Sequence, residues 1–326
     1  MKKYHKRNLL IIGKTPPPIG GVTIHVKRLL DSLKDDNTIQ FTYFDLKRKS
    51  KIKLFILIWK SKVVHLHTSN SYFRFFVVLY CRLLLKKIIF TFHGNLGRYN
   101  LFRNLIDKLS ILFSNYPIVI NFDSFNISYK INSETKLISA FIPQSSIVPL
   151  EDNLNTYLNV KSTEYQYIFC TNAFDVSYDK FGNEVYQILE LVNVFAESEL
   201  NNQYLIISDP SGNYNKFLIK KGIKVPENIL FINFPHDFNA VLKKSDCFIR
   251  YTTTDGDSLS VKEALMLNKN VIASDVVQRP YGVQLTKLDS NDLIKHLINF
   301  KPYISSCSID NGFVQLLELY KNINLK

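Results

Sequence analysis

Short β-branched runs alternate with helical patterns along the whole 326-residue chain, and this alternation narrows the folds open to it more than any other feature. A strand, a helix and a further strand in the same sheet run parallel, because only a crossover returns the chain to the same end. Runs at 8–12, 39–45, 63–67, 88–92, 117–121 and 137–141 read as strands of one sheet. Runs at 167–171, 204–208, 229–233, 247–251 and 270–274 read as strands of a second. A helix with Val22, Val26, Leu29, Leu30 and Leu33 on one face joins the first two strands. Further helices are expected at 184–196, 237–244, 260–267 and 311–321. The expected fold class is α/β, with two doubly wound parallel-sheet domains facing a cleft. They span residues 1–145 and 165–326, and the polar, Pro-bearing segment 143–164 reads as the linker. The final helix packs on either domain.

Charge divides the chain unevenly. Residues 1–150 hold 24 Lys and Arg against 7 Asp and Glu, whereas residues 151–326 hold 17 against 21. A bias of genome composition would act on both halves, so the first half is expected to face an anionic partner. A membrane surface is favoured, since each basic residue near anionic lipid contributes about 1 kcal/mol. The stretch from Phe73 to Leu85 carries Arg74 and Arg82 among apolar residues. It reads mainly as a buried helix whose flanking cations reach headgroups. The apolar runs at 54–59 and 75–85 are too short or too interrupted to span a bilayer. No secretory leader is read at the start, and Cys81, Cys170, Cys247 and Cys307 are scattered, as in a reduced, cytoplasmic protein.

Several motifs bear chemistry. The first strand ends in Gly13, and Gly20 and Gly21 precede the helix, where backbone N–H groups favour an anion such as a diphosphate. The spacing matches neither a dinucleotide fingerprint nor a P-loop. A proline-rich turn explains the glycines equally well. His65 and His67 share a strand face, but no third ligand stands at a suitable spacing, so no metal is expected. His93, at a strand end beside Gly94, is the histidine best placed to contact a ligand, ahead of His67 and then His65. Asp255 and Glu263 lie eight residues apart where a strand runs into a helix, a pair suited to sugar hydroxyls at the carboxyl edge of a sheet. Two plainer readings stay open there. Asp255 and Asp257 flank a glycine as in an ordinary turn, and Ser260 with Glu263 matches a capping box.

Together these segments resemble glycosyltransferase family 4. The resemblance rests on PPPIGGV at 16–22, HLHTS at 65–69, FTFHG at 90–94 and RYTTTDGDSLSVKEAL at 250–265. Downstream, VIASD at 271–275 continues into DVVQRPYG at 275–282, like bacterial members that build surface polysaccharide. The resemblance implies the GT-B fold, sugar transfer with retention from a nucleotide-diphosphate donor (UDP favoured), and no metal or other cofactor. It implies that Gly20 and Gly21 lie against the diphosphate, His93 near the transferred sugar, Asp255 on sugar hydroxyls and Glu263 on the ribose. Asp257 and Ser258 would help to hold the phosphates at a helix start, and Lys180 would neutralise the leaving group. The Arg that accompanies this Lys in many relatives has no match in residues 169–182, so Arg250 or Arg279 is expected to supply its charge. The acceptor implied is a glycan or lipid-linked saccharide at the inner membrane face, with no nucleic acid involved. A non-catalytic assembly partner and a nucleotide-sugar epimerase are the competing readings.

Overall fold

The computed structural model describes residues 9–17, 20–47, 50–303 and 309–324. Two units divide the chain: residues 1–144 with 310–326, and residues 145–309. In the first, the order is β1 (Leu9–Gly13), α1 (Gly21–Asp36), β2 (Phe41–Asp45), α2 (Lys51–Lys60), β3 (Val63–His67), α3 (Ser71–Leu83), β4 (Lys87–Phe92), α4 (Leu101–Phe113), β5 (Tyr116–Val119), α5 (Phe122–Ile131) and β6 (Lys136–Leu137). The six strands form one parallel sheet in the order β2-β1-β3-β4-β5-β6. β1 and β3 are buried along their whole length, as strands covered by helices on both faces must be. Asn70, Asn100 and Asn121 each accept a backbone N–H three residues on, at Phe73, Arg103 and Ser124, and so start α3, α4 and α5.

The second unit runs α6 (Asp152–Glu164), β7 (Tyr167–Asn172), α7 (Ile188–Phe195), β8 (Gln203–Ser208), α8 (Asn213–Lys220), β9 (Ile229–Ile232), α9 (Phe238–Lys243), β10 (Cys247–Arg250), α10 (Leu259–Met266), β11 (Asn270–Ser274), β12 (Gln284–Thr286) and α11 (Ser290–Ile298). Its sheet is also parallel, in the order β12-β11-β10-β7-β8-β9. The chain then returns to the first unit as α12 (Gly312–Asn324), where Leu316, Tyr320 and Ile323 pack with Ile11, Val26 and Leu29.

Three expectations need correction. The linker read at 143–164 contains α6, and this helix belongs to the second unit, which begins at Ser145 rather than 165. A strand with no apolar run, β12, closes one edge of the second sheet. The helix expected at 184–196 starts only at Ile188, because Glu184 stays outside it and accepts the N–H groups of Ile188 (2.7 Å) and Leu189 (3.4 Å).

Candidate active site

Each sheet changes direction once, and the site residues gather at those points. In the first unit the chain goes from β1 outward to β2, then crosses to β3 on the other side of β1. Crevices for ligands open at the carboxyl ends of strands where the order reverses in this way. Gly13 ends β1 there. A Cβ on it would stand 3.0 Å from a Val26 methyl and 3.3 Å from the His67 Cβ, so glycine lets α1 and β3 close on β1. Gly20 is the N-cap of α1 and its carbonyl accepts Ile24 N at 2.9 Å; nothing lies within 4 Å of where a Gly21 Cβ would be. Pro18 and Ile19 of this loop lie outside the described residues.

Four histidines meet at this crevice. His67 Nδ1 lies 3.1 Å from His93 Nε2, and the His25 ring centroid is 5.1 Å and 5.0 Å from those of His67 and His93. His25 Nδ1 bonds the Ala140 carbonyl at 2.7 Å. His65 stacks 4.1 Å from His67 and is satisfied on both nitrogens, by the Tyr320 hydroxyl (2.5 Å) and by Thr91 Oγ1 (2.9 Å). Burial favours the neutral imidazole and holds His65 down to about 3; it also holds His67 and His93 well below the ordinary value, with help from their histidine neighbours. His25, His67 and His93 offer ligand atoms within 4.8 Å of one another. A tetrahedral zinc shell needs them about 3.4 Å apart, so these rings would hold a metal only by drawing together. The sequence reading missed this set. His25 lies 42 residues before His67, and its signal was its place three residues after Val22 on the inward face of α1.

A recess beside His93 is lined also by Arg74, Phe92, Gly94, Arg98 and Tyr99. The Arg103 guanidinium stacks 3.4 Å from the centre of the Tyr99 ring, and Arg98 Nη2 bonds the Tyr99 hydroxyl at 2.5 Å. Arg74 is not a headgroup cation as its sequence position suggested. It is buried, paired with Asp107 and lying 4.4 Å over the Phe92 ring.

In the second unit the reversal lies between β7 and β10. Arg250, ending β10, donates from Nε to Asp255 Oδ2 (2.9 Å) and from Nη2 to Oδ1 (3.1 Å). Arg279 Nη1 donates to the same Oδ2 at 2.7 Å. Arg250 Nη1 also reaches Asn172, the last residue of β7, at 3.4 Å. Burial works against the Asp255 charge, but the two guanidiniums outweigh it and hold the carboxyl below its ordinary range. Burial likewise opposes the Arg250 charge, and Asp255 and Tyr186 more than restore it. The sequence reading set Asp255 on sugar hydroxyls, yet both its oxygens are engaged by protein, Oδ1 also by Gly256 N at 3.0 Å. What the reading missed was the joining of these three residues. Its signal was that Arg250 ends one strand, β10, and Arg279 follows the neighbouring one, β11.

Asp257 pairs with Lys262, one turn into α10. Ser258 is the N-cap of α10 but makes no capping bond with its side chain; its hydroxyl lies 3.4 Å from that of Ser260. Ser260 lies inside α10, so it is not the N-cap that the capping-box alternative with Glu263 would need. Glu263 is buried in the second turn. Lys180 is exposed on the loop after β7, its ammonium 4.9 Å from the Phe181 ring centre. That loop is tied to the one after β10, where Thr253 N donates to the Val185 carbonyl at 3.0 Å.

No family model matches the chain, and no curated protein matches it in sequence. Its architecture does have solved counterparts. Sucrose-phosphate synthase from Thermosynechococcus elongatus superposes with a TM-score of 0.69 at 15% identity, over 98% of this chain and 100% of that one. HepE from Anabaena, in complex with UDP-glucose, gives 0.65 at 12%, over 89% and 88%. UDP-GlcNAc 2-epimerase from Methanocaldococcus jannaschii gives 0.63 at 13%, over 97% and 99%. The fold is thus GT-B, two Rossmann-like domains in one chain.

Proposed function

We propose that this protein is a retaining glycosyltransferase that takes a sugar from a nucleotide-diphosphate donor, with UDP favoured as the nucleotide. The acceptor proposed is a glycan or lipid-linked saccharide of bacterial surface polysaccharide, reached from the cytoplasm. The observation that carries the reading is the convergence of Arg250 and Arg279 on Asp255 at the reversal point of the second sheet. Two guanidiniums against one carboxylate leave a net positive charge in a desolvated place, and planar donors there suit a diphosphate, both bound and leaving. In this reading Asp255 positions the two arginines, and these stand in for the Arg missing from residues 169–182. Glu263 would take the ribose hydroxyls, while Lys180, Ser258 and the start of α10 would add to the field on the phosphates. Asp257 would act through Lys262 rather than on phosphate itself. In the first unit, the Gly20–Gly21 turn would accept an anionic group, and neutral His93 would contact sugar hydroxyls. No metal is assigned to the reaction.

An epimerase acting on a nucleotide sugar is the second reading, because a solved UDP-GlcNAc 2-epimerase shares this architecture nearly as closely as HepE and sucrose-phosphate synthase do. One assay separates them. UDP-glucose, UDP-galactose and UDP-GlcNAc are incubated with and without saccharide acceptors while free UDP and sugar configuration are followed by NMR. Acceptor-dependent UDP release with retained anomeric configuration is expected, reduced at least about 100-fold in Glu263→Ala. Acceptor-independent inversion at C2 of UDP-GlcNAc would assign an epimerase. Nucleotide binding without any turnover would assign a non-catalytic partner.

A further inference from the structure

Helices α2, α3 and α4 cover one face of the first sheet, and their inward sides account for that core: Leu54, Ile58, Val77, Val78, Cys81 and Ile111. Their outward sides are apolar as well. On α2, Ile52, Ile56 and Trp59 form an exposed stripe at helical spacing, with Ile52 74% and Trp59 61% accessible. Tyr72, Phe76 and Leu83 stand out from α3. Leu101, Phe102 and Leu105 stand out from α4, where Leu101 is 91% accessible. The helices join into one surface through ring contacts, Phe55 with Phe76 at 5.8 Å and Tyr72 with Phe102 at 6.4 Å. Leu85, just past α3, is held in the left-handed region at φ 53° and stands 93% accessible. Single exposed apolar residues need no account, but a contiguous set across three neighbouring helices marks a surface that is covered in use.

The charges around it are of one sign. Between Asp45 and Asp123 the chain carries fourteen Lys and Arg and a single acid, Asp107. That acid is buried against Arg74, so the charges this surface presents are cations, among them exposed Lys53, Lys60, Arg82 and Lys108. We propose that the outer face of α2, α3 and α4 seats the first unit on an anionic lipid bilayer, with Trp59, Phe102 and Leu101 entering the boundary between headgroups and acyl chains. Charge complementarity selects anionic lipid, and protruding side chains suit fluid chains that close around them without a shaped partner. Among the described residues no helix is long and apolar enough to cross a membrane; the seating is interfacial. It stands independently of the transferase reading, since binding to vesicles requires neither donor nor turnover.

The full-length protein is floated with vesicles of phosphatidylcholine alone and of phosphatidylcholine mixed with phosphatidylglycerol, and Trp59, the sole tryptophan, reports insertion by fluorescence. Flotation with the anionic vesicles only, a blue shift of Trp59, and a loss of at least about tenfold in partitioning for Leu101→Glu and for Lys108→Glu are expected. The variants are checked for an unchanged melting temperature, as fits exposed positions. Absence of flotation overturns the proposal, as does flotation that leaves Trp59 unshifted or that survives Leu101→Glu. Concentration-dependent dimerisation lost in Leu101→Glu, without vesicle binding, would give the face to a second copy and overturn it too.

Discussion

At Asp255 a single carboxylate holds two guanidiniums from adjacent strand ends, and its side chain is 7% exposed. Removing it would leave Arg250 and Arg279 close together and desolvated, with nothing between them. Asp255→Ala is therefore expected to destabilise the second unit by about 3 kcal/mol, read as a lower denaturation midpoint; a loss below about 0.5 kcal/mol would contradict the buried network. The histidine crevice makes a prediction of its own. The unfolded chain protonates these rings near the ordinary value of 6.5, whereas the fold holds His65 down to about 3 and keeps His67 and His93 neutral well below 6.5. As pH falls below 6.5, the unfolded state takes up protons that the native state refuses. Stability present above that pH is lost below it, by up to about 1.4 kcal/mol per pH unit for each histidine. Melting temperatures that stay level between about pH 7 and about pH 5 would rule this out.

Among the elements, α12 shows how close a packing one glycine permits. A Cβ at Gly312 would collide with the Ser139 carbonyl oxygen, and that neighbour is backbone, which has little room to give. Gly312→Ala is expected to cost about 1–3 kcal/mol, while Val314→Ala, two residues on at an exposed position, should be neutral; equal melting temperatures for the two variants would contradict this docking. The elements differed in how far they could be read in advance. Buried strands such as β1, β3 and β8 are unbroken apolar or β-rich runs, and a parallel sheet covered on both faces requires that. In contrast, α6 buries little besides Leu158, so its sequence carries almost no period to betray a helix. With only Gln284, Leu285 and Thr286, β12 is too short to show one. Glu184 looked helical by composition, and only its bonds to Ile188 and Leu189 reveal it as the group that starts α7.

For the whole molecule, two doubly wound units were legible because βαβ units repeat along the chain. The site was legible by residue but not by contact. Motifs picked out His93, Asp255 and Glu263, yet Arg279 reaches Asp255 across 24 residues and His25 reaches His67 across 42, by way of strand order. The charge asymmetry also acquires a place, since cations of the first unit ring an apolar helical face. The central claim is that the second unit holds a nucleoside diphosphate on Arg250, Arg279 and Glu263. The most direct test is a thermal-shift titration with UDP, GDP, ADP and CMP on the wild type and on Glu263→Ala. A ligand that binds only the native state at 100 times its Kd adds about 2.7 kcal/mol, so one nucleoside diphosphate should raise the wild-type melting temperature and leave the variant unmoved. No shift with any of the four, or an equal shift in both proteins, would contradict the account.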